Sequence, residues 1–374
     1  MGLAHSPKIV TDGLAFIYDT GSGKSYKGEP TVNLLNYTTE FNNWTAAKNS
    51  GTTPTVTVDT SVNPLGLAGA PMADKVYLPD DGTYPRIQQY FTPASTNTHT
   101  FSVWIRSISG NCDCFLGAFR NSPWSLPGSS VKSITGEWQR FTFSWTPPDT
   151  TTHVIYMGSH DTAAQKGNTL EFWGAQMEAK SHATQFVDGT RSATQGLLDL
   201  TNNATINLSN VSFDSNAQMV FDGTDDYTSL GNPTALRDLT SGTIETVYYR
   251  DASSGTYQMV FTDAGSDLEI TYLGNTLQFY IGNSGLSYTH AVTDQWFNVV
   301  GTWGSGFKKL YINGVEVASG TNTGTDTGNR DRYVGGRGAN FPFNGEIPIA
   351  RIYGQALTDE EVLQNYNAFK SRFL

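Results

Sequence analysis

Hydrophobic and polar positions along this chain change places every one or two residues, in short runs. From residue 243 the runs are TIETVYYRD, YQMVFT, LEITYL, TLQFYIG, QWFNVVGTW and FKKLYINGVEVASG, rich in β-branched and aromatic side chains. Gly, Asp and Asn interrupt them about every ten residues, which predicts a succession of strands. Asn313-Gly314 lies between Lys309-Leu310-Tyr311-Ile312 and Val315-Glu316-Val317. That dipeptide suits a type I′ hairpin turn, whose two central residues need positive φ. A helical period occurs near the end. Thr358 and Glu361 form a capping box, and Val362, Tyr366 and Phe369 follow as one apolar stripe.

The stretch 31–192 repeats the strand pattern in THTFSVWIRSIS, EWQRFTFSWTPP, THVIYMGS and TLEFWGAQME. Breakers such as Ser122-Pro123, Pro127-Gly128 and Pro147-Pro148 separate these runs. Ahead of it, DGLAFIYDTGSGKSYKG holds one apolar strand and stops at a Gly/Lys-rich turn. After it, GLLDLTNNATINL opens a further strand region. The expected fold class is all-β: two β-sandwich (jelly-roll) domains and a short C-terminal helix.

Composition agrees with many short strands: 374 residues, 38 of them Gly, with 12% aromatic and only 15% charged. The net charge is −11, from 23 basic and 34 acidic residues. An acidic surface repels phosphate backbones, so nucleic acid is not an expected partner. No apolar run approaches the roughly 20 residues of a membrane helix, so membrane insertion is not expected either. MGLAHSPKIV lacks the apolar stretch of a secretory signal, although Gly2 and Ser6 fit a myristoylation pattern. Cys112 and Cys114 stand too close in sequence for good disulfide geometry and have no neighbouring His pair for zinc.

The motifs AQMVFDGTDDYTSLG, DQWFNVVGTW, LYINGVEVASG and FNGEIPIARIYGQALTDEEVLQNYN occur in order between residues 217 and 367. With them, residues 218–368 resemble the laminin-G-like branch of the concanavalin A-like lectin/glucanase superfamily. GLAFIYDTGSGKSY resembles the opening strand of that domain as found in bacteriophage structural proteins. Residues 31–192 resemble a carbohydrate-binding-module jelly roll, through NLLNYTTEFNNW, FSVWIRS, GEWQRFTFSWTPP and LEFWGAQMEAKSHATQFV. The last of these is similar to the closing strand of jelly rolls in phage tail and virion proteins. The resemblance implies a discontinuous lectin-like domain, 1–30 plus 193–374, interrupted by an inserted sandwich, 31–192. It implies a virion surface protein made in the host cytoplasm. Other virion proteins and host-surface polysaccharide would be its partners, and particle symmetry would make it a homo-oligomer. Two roles stay open: a tail- or fibre-associated adhesin, and a capsid decoration or connector subunit.

FDGTDDY, residues 221–227, reads as a hairpin connection with solvated acids. Alternatively Asp222, Asp225 and Asp226 hold calcium, as hard carboxylate oxygens suit that ion. Calcium is also common in the module that the middle block resembles, where Glu40 and Glu178 fall near the stapled first and last strands. A catalytic role is not expected. Superfamily glucanases carry alternating acids of the form E-x-D-x-x-E, whereas Glu245 and Glu269 each stand alone on a strand. GSGKS at 21–25 reads as a turn, because no helix follows. The six histidines are scattered, without H-x-x-x-H spacing.

Aromatic residues give the candidate ligand site. Sugar C–H faces stack on aromatic rings while flanking polar groups bond the hydroxyls. Alternation in FSVWIRS puts Phe101, Val103 and Ile105 on one face and Ser102, Trp104 and Arg106 on the other. Arg86, Gln88 and Tyr90 share a face of YPRIQQYF. The expected glycan site combines Arg86, Gln88, Tyr90, Trp104 and Arg106 on one sheet, with Trp124 closing it. Trp138, Trp145 and Trp173 are expected in the core.

Overall fold

The computed structural model describes residues 8–66, 69–160, 162–214, 216–251 and 256–373. Gly2, His5 and Ser6 therefore lie outside the described residues. The described chain is all-β apart from three 3-10 turns and one helix, Asp359–Phe373. It divides into two compact units, Met1–Pro30 with Ser192–Leu374, and Thr31–Arg191.

The first unit stacks an eight-stranded sheet on a seven-stranded one. In Leu14–Asp19 the alternate residues Phe16 and Tyr18 enter the core between the sheets. This strand pairs antiparallel with Asn344–Tyr353, Phe16 opposite Ile352 and Tyr18 opposite Ala350. Ile244, Tyr248, Ile270, Phe279, Trp303 and Ile352 share that core. Burying each such side chain is worth roughly 1.5–3 kcal/mol before entropy is counted. The Asn313-Gly314 turn has φ 52° and 77°, as type I′ requires, and joins Phe307–Ile312 to Val315–Gly320. Gly314 also packs under the helix, where a Cβ would lie 3.1 Å from both Leu363 and Tyr366.

The capping box forms. Thr358 N donates to Glu361 Oε2 (2.9 Å), and Glu361 N donates to Thr358 Oγ1 (3.3 Å). The buried stripe differs from the expected one, since Asn365 joins Val362 and Phe369 while Tyr366 is only half-buried. The reason is a buried acid on the sheet beneath. Asn365 Nδ2 donates to Glu245 Oε2 (2.8 Å), and Asn365 Oδ1 accepts from Val10 N (2.7 Å).

FDGTDDY is not a hairpin. Met219–Asp222 pairs with Asn344–Tyr353 in one sheet, and Tyr227–Gly231 pairs with Arg332–Val334 in the other. The acidic segment crosses between layers, because Phe221 and Leu230 must both reach the same core from opposite sheets.

The second unit packs two five-stranded sheets. One contains His99–Ser107 between Gln139–Trp145 and Asn168–Glu178. The other runs Thr45–Ala47, Arg86–Phe91, His153–Gly158, Cys112–Arg120, Ser125–Ile134. Phe101, Val103 and Ile105 fill the core as alternation requires, against Ile87, Leu116, Ala118, Ile155 and Met157. Cys112 and Cys114 are free thiols, and burial pushes Cys114 far up. The unit's two ends meet: Thr31–Val32 pairs antiparallel with Thr190–Arg191.

Candidate functional site

The outer face of the sheet carrying Arg86–Phe91 is set by strand register. Arg86 lies opposite Gly158, Gln88 opposite Tyr156 and Tyr90 opposite Val154. On the far side, Gly158, Tyr156 and Val154 face Phe115, Gly117 and Phe119. Period-2 alternation thus gathers aromatic rings on a surface that would ordinarily be polar. Gly117 makes room for them. A Cβ there would stand 2.6 Å from the Phe115 ring and 3.1 Å from the Phe119 ring.

Loops complete a pocket of about 230 Å³ lined by Asn49, Tyr84, Arg86, Phe119, Trp124, Tyr156 and His160. The turn joining Cys112–Arg120 to Ser125–Ile134 carries Trp124, 58% exposed and stacked on Phe119 (4.9 Å between centroids, 22°). His160 follows His153–Gly158 and stacks on Phe115 (4.6 Å, 22°), with Tyr84 edge-on at 5.2 Å. Arg86 spans the floor. Its guanidinium sits 4.8 Å from the Tyr156 ring centroid. Nε donates to Gln88 Oε1 (2.7 Å), and Nη1 donates to Tyr84 O (3.0 Å) and Asn49 Oδ1 (3.3 Å). Aromatic walls with a few fixed polar groups are the usual make-up of a small-molecule site. The volume is below the roughly 300–1,000 Å³ of a drug-sized pocket, and suits a ring-sized group. Larger clefts exist, but the one beside the helix start has its Lys309 held by Asp359 (2.7 Å) and Glu316 (3.0 Å).

The expected single cleft does not form. Trp104 and Arg106 sit on His99–Ser107, in the opposite sheet from Arg86, Gln88 and Tyr90. Residues 92–98 carry the chain from one layer to the other, so consecutive strands face away from each other. Trp104 is packed against Trp173 (5.3 Å) and Phe186 (6.0 Å), with the Arg140 guanidinium over its ring at 4.4 Å. Burial draws Arg140 down to about 10, with Arg191 adding to this and Glu178 opposing it. Arg106 Nε donates to Glu171 Oε2 (2.6 Å), and its guanidinium covers the Trp138 ring at 4.9 Å. Trp138 is accordingly half-exposed, not core, whereas Trp145 and Trp173 are buried. Of the expected ligand residues, Arg86 and Trp124 line the pocket. Gln88 supports Arg86 from beneath, and Tyr90 is exposed farther along the same face. Sequence reasoning missed Asn49, Tyr84, Phe119, Tyr156 and His160. The available signal was CFLGAF facing VIYMG, two strands apolar on both faces.

The carboxylates Asp222, Asp225 and Asp226 do converge, with one oxygen of each within 4.8 Å of the others. Asp226 accepts from Asp222 N (2.8 Å), and Asp225 accepts from Asn210 Nδ2 (3.0 Å). Burial raises the Asp226 carboxyl, the charges of Asp222 and Asp225 raise it further, and the backbone bond opposes them. The trio offers hard oxygens to a divalent cation. Glu178 is differently employed. It is fully buried and accepts from Thr31 Oγ1 (2.8 Å), Thr184 Oγ1 (2.6 Å) and Thr184 N (3.0 Å). These hydrogen bonds staple the ends of the second unit. Glu40 is exposed and bonds Asn43 (3.0 Å).

Residues 222–363 match the Laminin_G_3 family model of the concanavalin A-like lectin/glucanases superfamily. This stretch is a domain of that superfamily. The matched residues all lie in the first unit, and the match begins within the acidic crossing segment. No curated protein matches the sequence. Similar solved structures include domain 4 of AbnA, an extracellular arabinanase of Geobacillus stearothermophilus, in complex with arabinotriose. It is 20% identical with a TM-score of 0.38, covering 47% of this chain and 93% of that one. The binding domain of botulinum neurotoxin DC in complex with SialylT is 14% identical, TM-score 0.39, covering 47% and 49%. The Trypanosoma rangeli sialidase in complex with the inhibitor DANA is 12% identical, TM-score 0.38, covering 47% and 31%. The chain thus spans about half of the neurotoxin binding domain and a third of the sialidase.

Proposed function

We propose that this chain is a non-catalytic glycan-binding protein, displayed on a bacteriophage particle as a tail- or fibre-associated adhesin for host-surface polysaccharide. The observation that carries the glycan reading is the pocket on the second unit. An exposed Trp124 ring stands over Phe119 beside an arginine locked in place by three hydrogen bonds. A sugar can lay its C–H face on such a ring and bond its oxygens to the polar floor. The non-catalytic reading rests on the described lining, an arginine, an imidazole, an amide and aromatic rings, where glycosidases use paired carboxylates. The virion placement rests on the resemblance of the opening strand and of the inserted sandwich to phage structural proteins. On a symmetric particle, many weak pockets would act together.

The test is binding of the purified chain to host polysaccharides and to a glycan array, beside a Trp124→Ala variant. Binding that W124A abolishes, with adsorption of W124A particles reduced, supports the adhesin. A flat array with unaltered adsorption sinks it in favour of an assembly subunit. Reducing ends released from polysaccharide would overturn the non-catalytic reading.

A further inference from the structure

We propose that the same pocket selects saccharides that carry a carboxylate, an inference that rests on its glycan-binding reading. The carbonyl oxygens around the pocket are already engaged: Gln88 Oε1 and Asn49 Oδ1 accept from Arg86, and Tyr84 O accepts from both Arg86 and the Tyr156 hydroxyl (3.4 Å). Arg86 Nη2, Asn49 Nδ2 and the Trp124 indole N–H are donors that keep no protein partner among the described residues; the Tyr84 hydroxyl and the His160 ring nitrogens, likewise unpartnered there, can donate or accept. The described lining therefore offers three donor-only groups, one of them a guanidinium, and it contains no carboxylate.

A neutral sugar's hydroxyls can also accept from these donors, but they bring no charge to meet the guanidinium. A carboxylate only accepts, and it suits donor-only groups such as these. The guanidinium supplies the counter-charge, and a charge-assisted hydrogen bond is about twice as strong as a neutral one. Arg86 pays little ordering entropy, since Nε and Nη1 are already fixed. The wider field permits an acidic ligand. Residues 31–191 carry 10 basic and 12 acidic side chains, against 13 and 22 in the rest of the chain. The protein's negative charge thus sits mostly on the other unit. In the loop beside Asn49, the carboxylate of Asp81 is bonded to Thr52 N (2.9 Å) and Oγ1 (2.6 Å). Apolar walls of Phe119, Tyr156 and Trp124 take the ring that bears the carboxylate.

The experiment compares binding of the full chain to trigalacturonate and to its carboxyl-reduced counterpart, and to sialyllactose and lactose. The pairs distinguish a uronate from a terminal sialic acid as the source of the carboxylate. We expect one acidic probe to bind about tenfold or more tighter than its neutral twin. That preference should shrink with added salt. Arg86→Gln should bring the two within about threefold. Asn49→Asp, an exposed change that places a carboxylate against Arg86, should do the same without harming the fold. Equal binding of acidic and neutral twins, both lost in W124A, would overturn the acid preference while leaving the pocket a glycan site. An acid preference untouched by R86Q and N49D would overturn the assignment to this pocket. If none of the four probes binds and a broad array is also silent, the glycan reading fails and this inference falls with it.

Discussion

Glu245 is the centre of a buried network that docks the C-terminal helix, and replacing it by Ala should be severely destabilising. The residue is fully buried. It accepts from Asn298 Nδ2 (3.0 Å) and Asn365 Nδ2 (2.8 Å), and Arg351 Nη1 lies 3.1 Å away as an ion pair without hydrogen-bond geometry. Arg351 is itself 2% exposed and sits under the Phe369 ring at 5.1 Å. Removing the carboxylate strands one buried cation and two amide donors. Breaking a buried pair in this way costs roughly 3–5 kcal/mol. A unit of this size loses about 2–4 °C per kcal/mol, so Glu245→Ala should melt roughly 6–20 °C lower. Calorimetry on the full chain reads the transition of the first unit, and limited proteolysis near Thr358 reads helix release. The double variant Glu245→Met with Arg351→Met should recover the share of the loss due to the stranded cation, since a well-packed apolar pair can replace a buried ion pair, while Asn298 and Asn365 still lack their acceptor. An E245A transition within about 3 °C of the parent, or a double variant no better than E245A, would refute the reasoning.

Glu346 gives a pH prediction. Burial first, then the charges of Asp214 and Asp251, push its carboxyl up to about 7 from 4.5. Between those values the native state holds a proton that the unfolded chain has lost, so stability falls as pH rises through that window. Glu346→Gln should flatten the profile from pH 5 to 8 and gain roughly 1–2 kcal/mol at pH 8, after discounting for partial exposure; an unchanged slope counts against it. Gly117→Val should displace the Phe115 and Phe119 rings, costing about 1–3 kcal/mol in denaturant titrations and abolishing saccharide binding. Retained binding would show that the ring arrangement does not matter. Trp104→Ala should cost roughly 1–3 kcal/mol of stability and leave saccharide affinity unchanged, because its ring packs inside the opposite sheet's own cover. A specific loss of affinity in a stable W104A protein would contradict that placement.

Which face of a strand a residue occupies was legible, since side chains alternate with period 2 and Phe101, Val103 and Ile105 had to go inward together. The Asn313-Gly314 hairpin and the Thr358 cap were legible because local backbone conformation dictates them. Which layer a strand joins was not. A crossing loop such as 92–98 looks in sequence like a hairpin loop, so Trp104 and Arg86 seemed to share a sheet, whereas they lie on the two opposite sheets of the sandwich. The same ambiguity hid the crossing at FDGTDDY. The pocket itself depends on cross-strand register, Gly117 opposite Tyr156 and Arg86 opposite Gly158, which is a long-range property. Only the unusual apolarity of both faces of CFLGAF and VIYMG hinted at it.

The pairing of Thr31–Val32 with Thr190–Arg191 means that entry to and exit from the second unit are adjacent doorposts. Everything between them can be exchanged as a cassette, with the threading of the host sandwich left intact. Under the proposed glycan-binding role, a swap of that one contiguous block of gene would change the ligand while the scaffold that carries it stays the same.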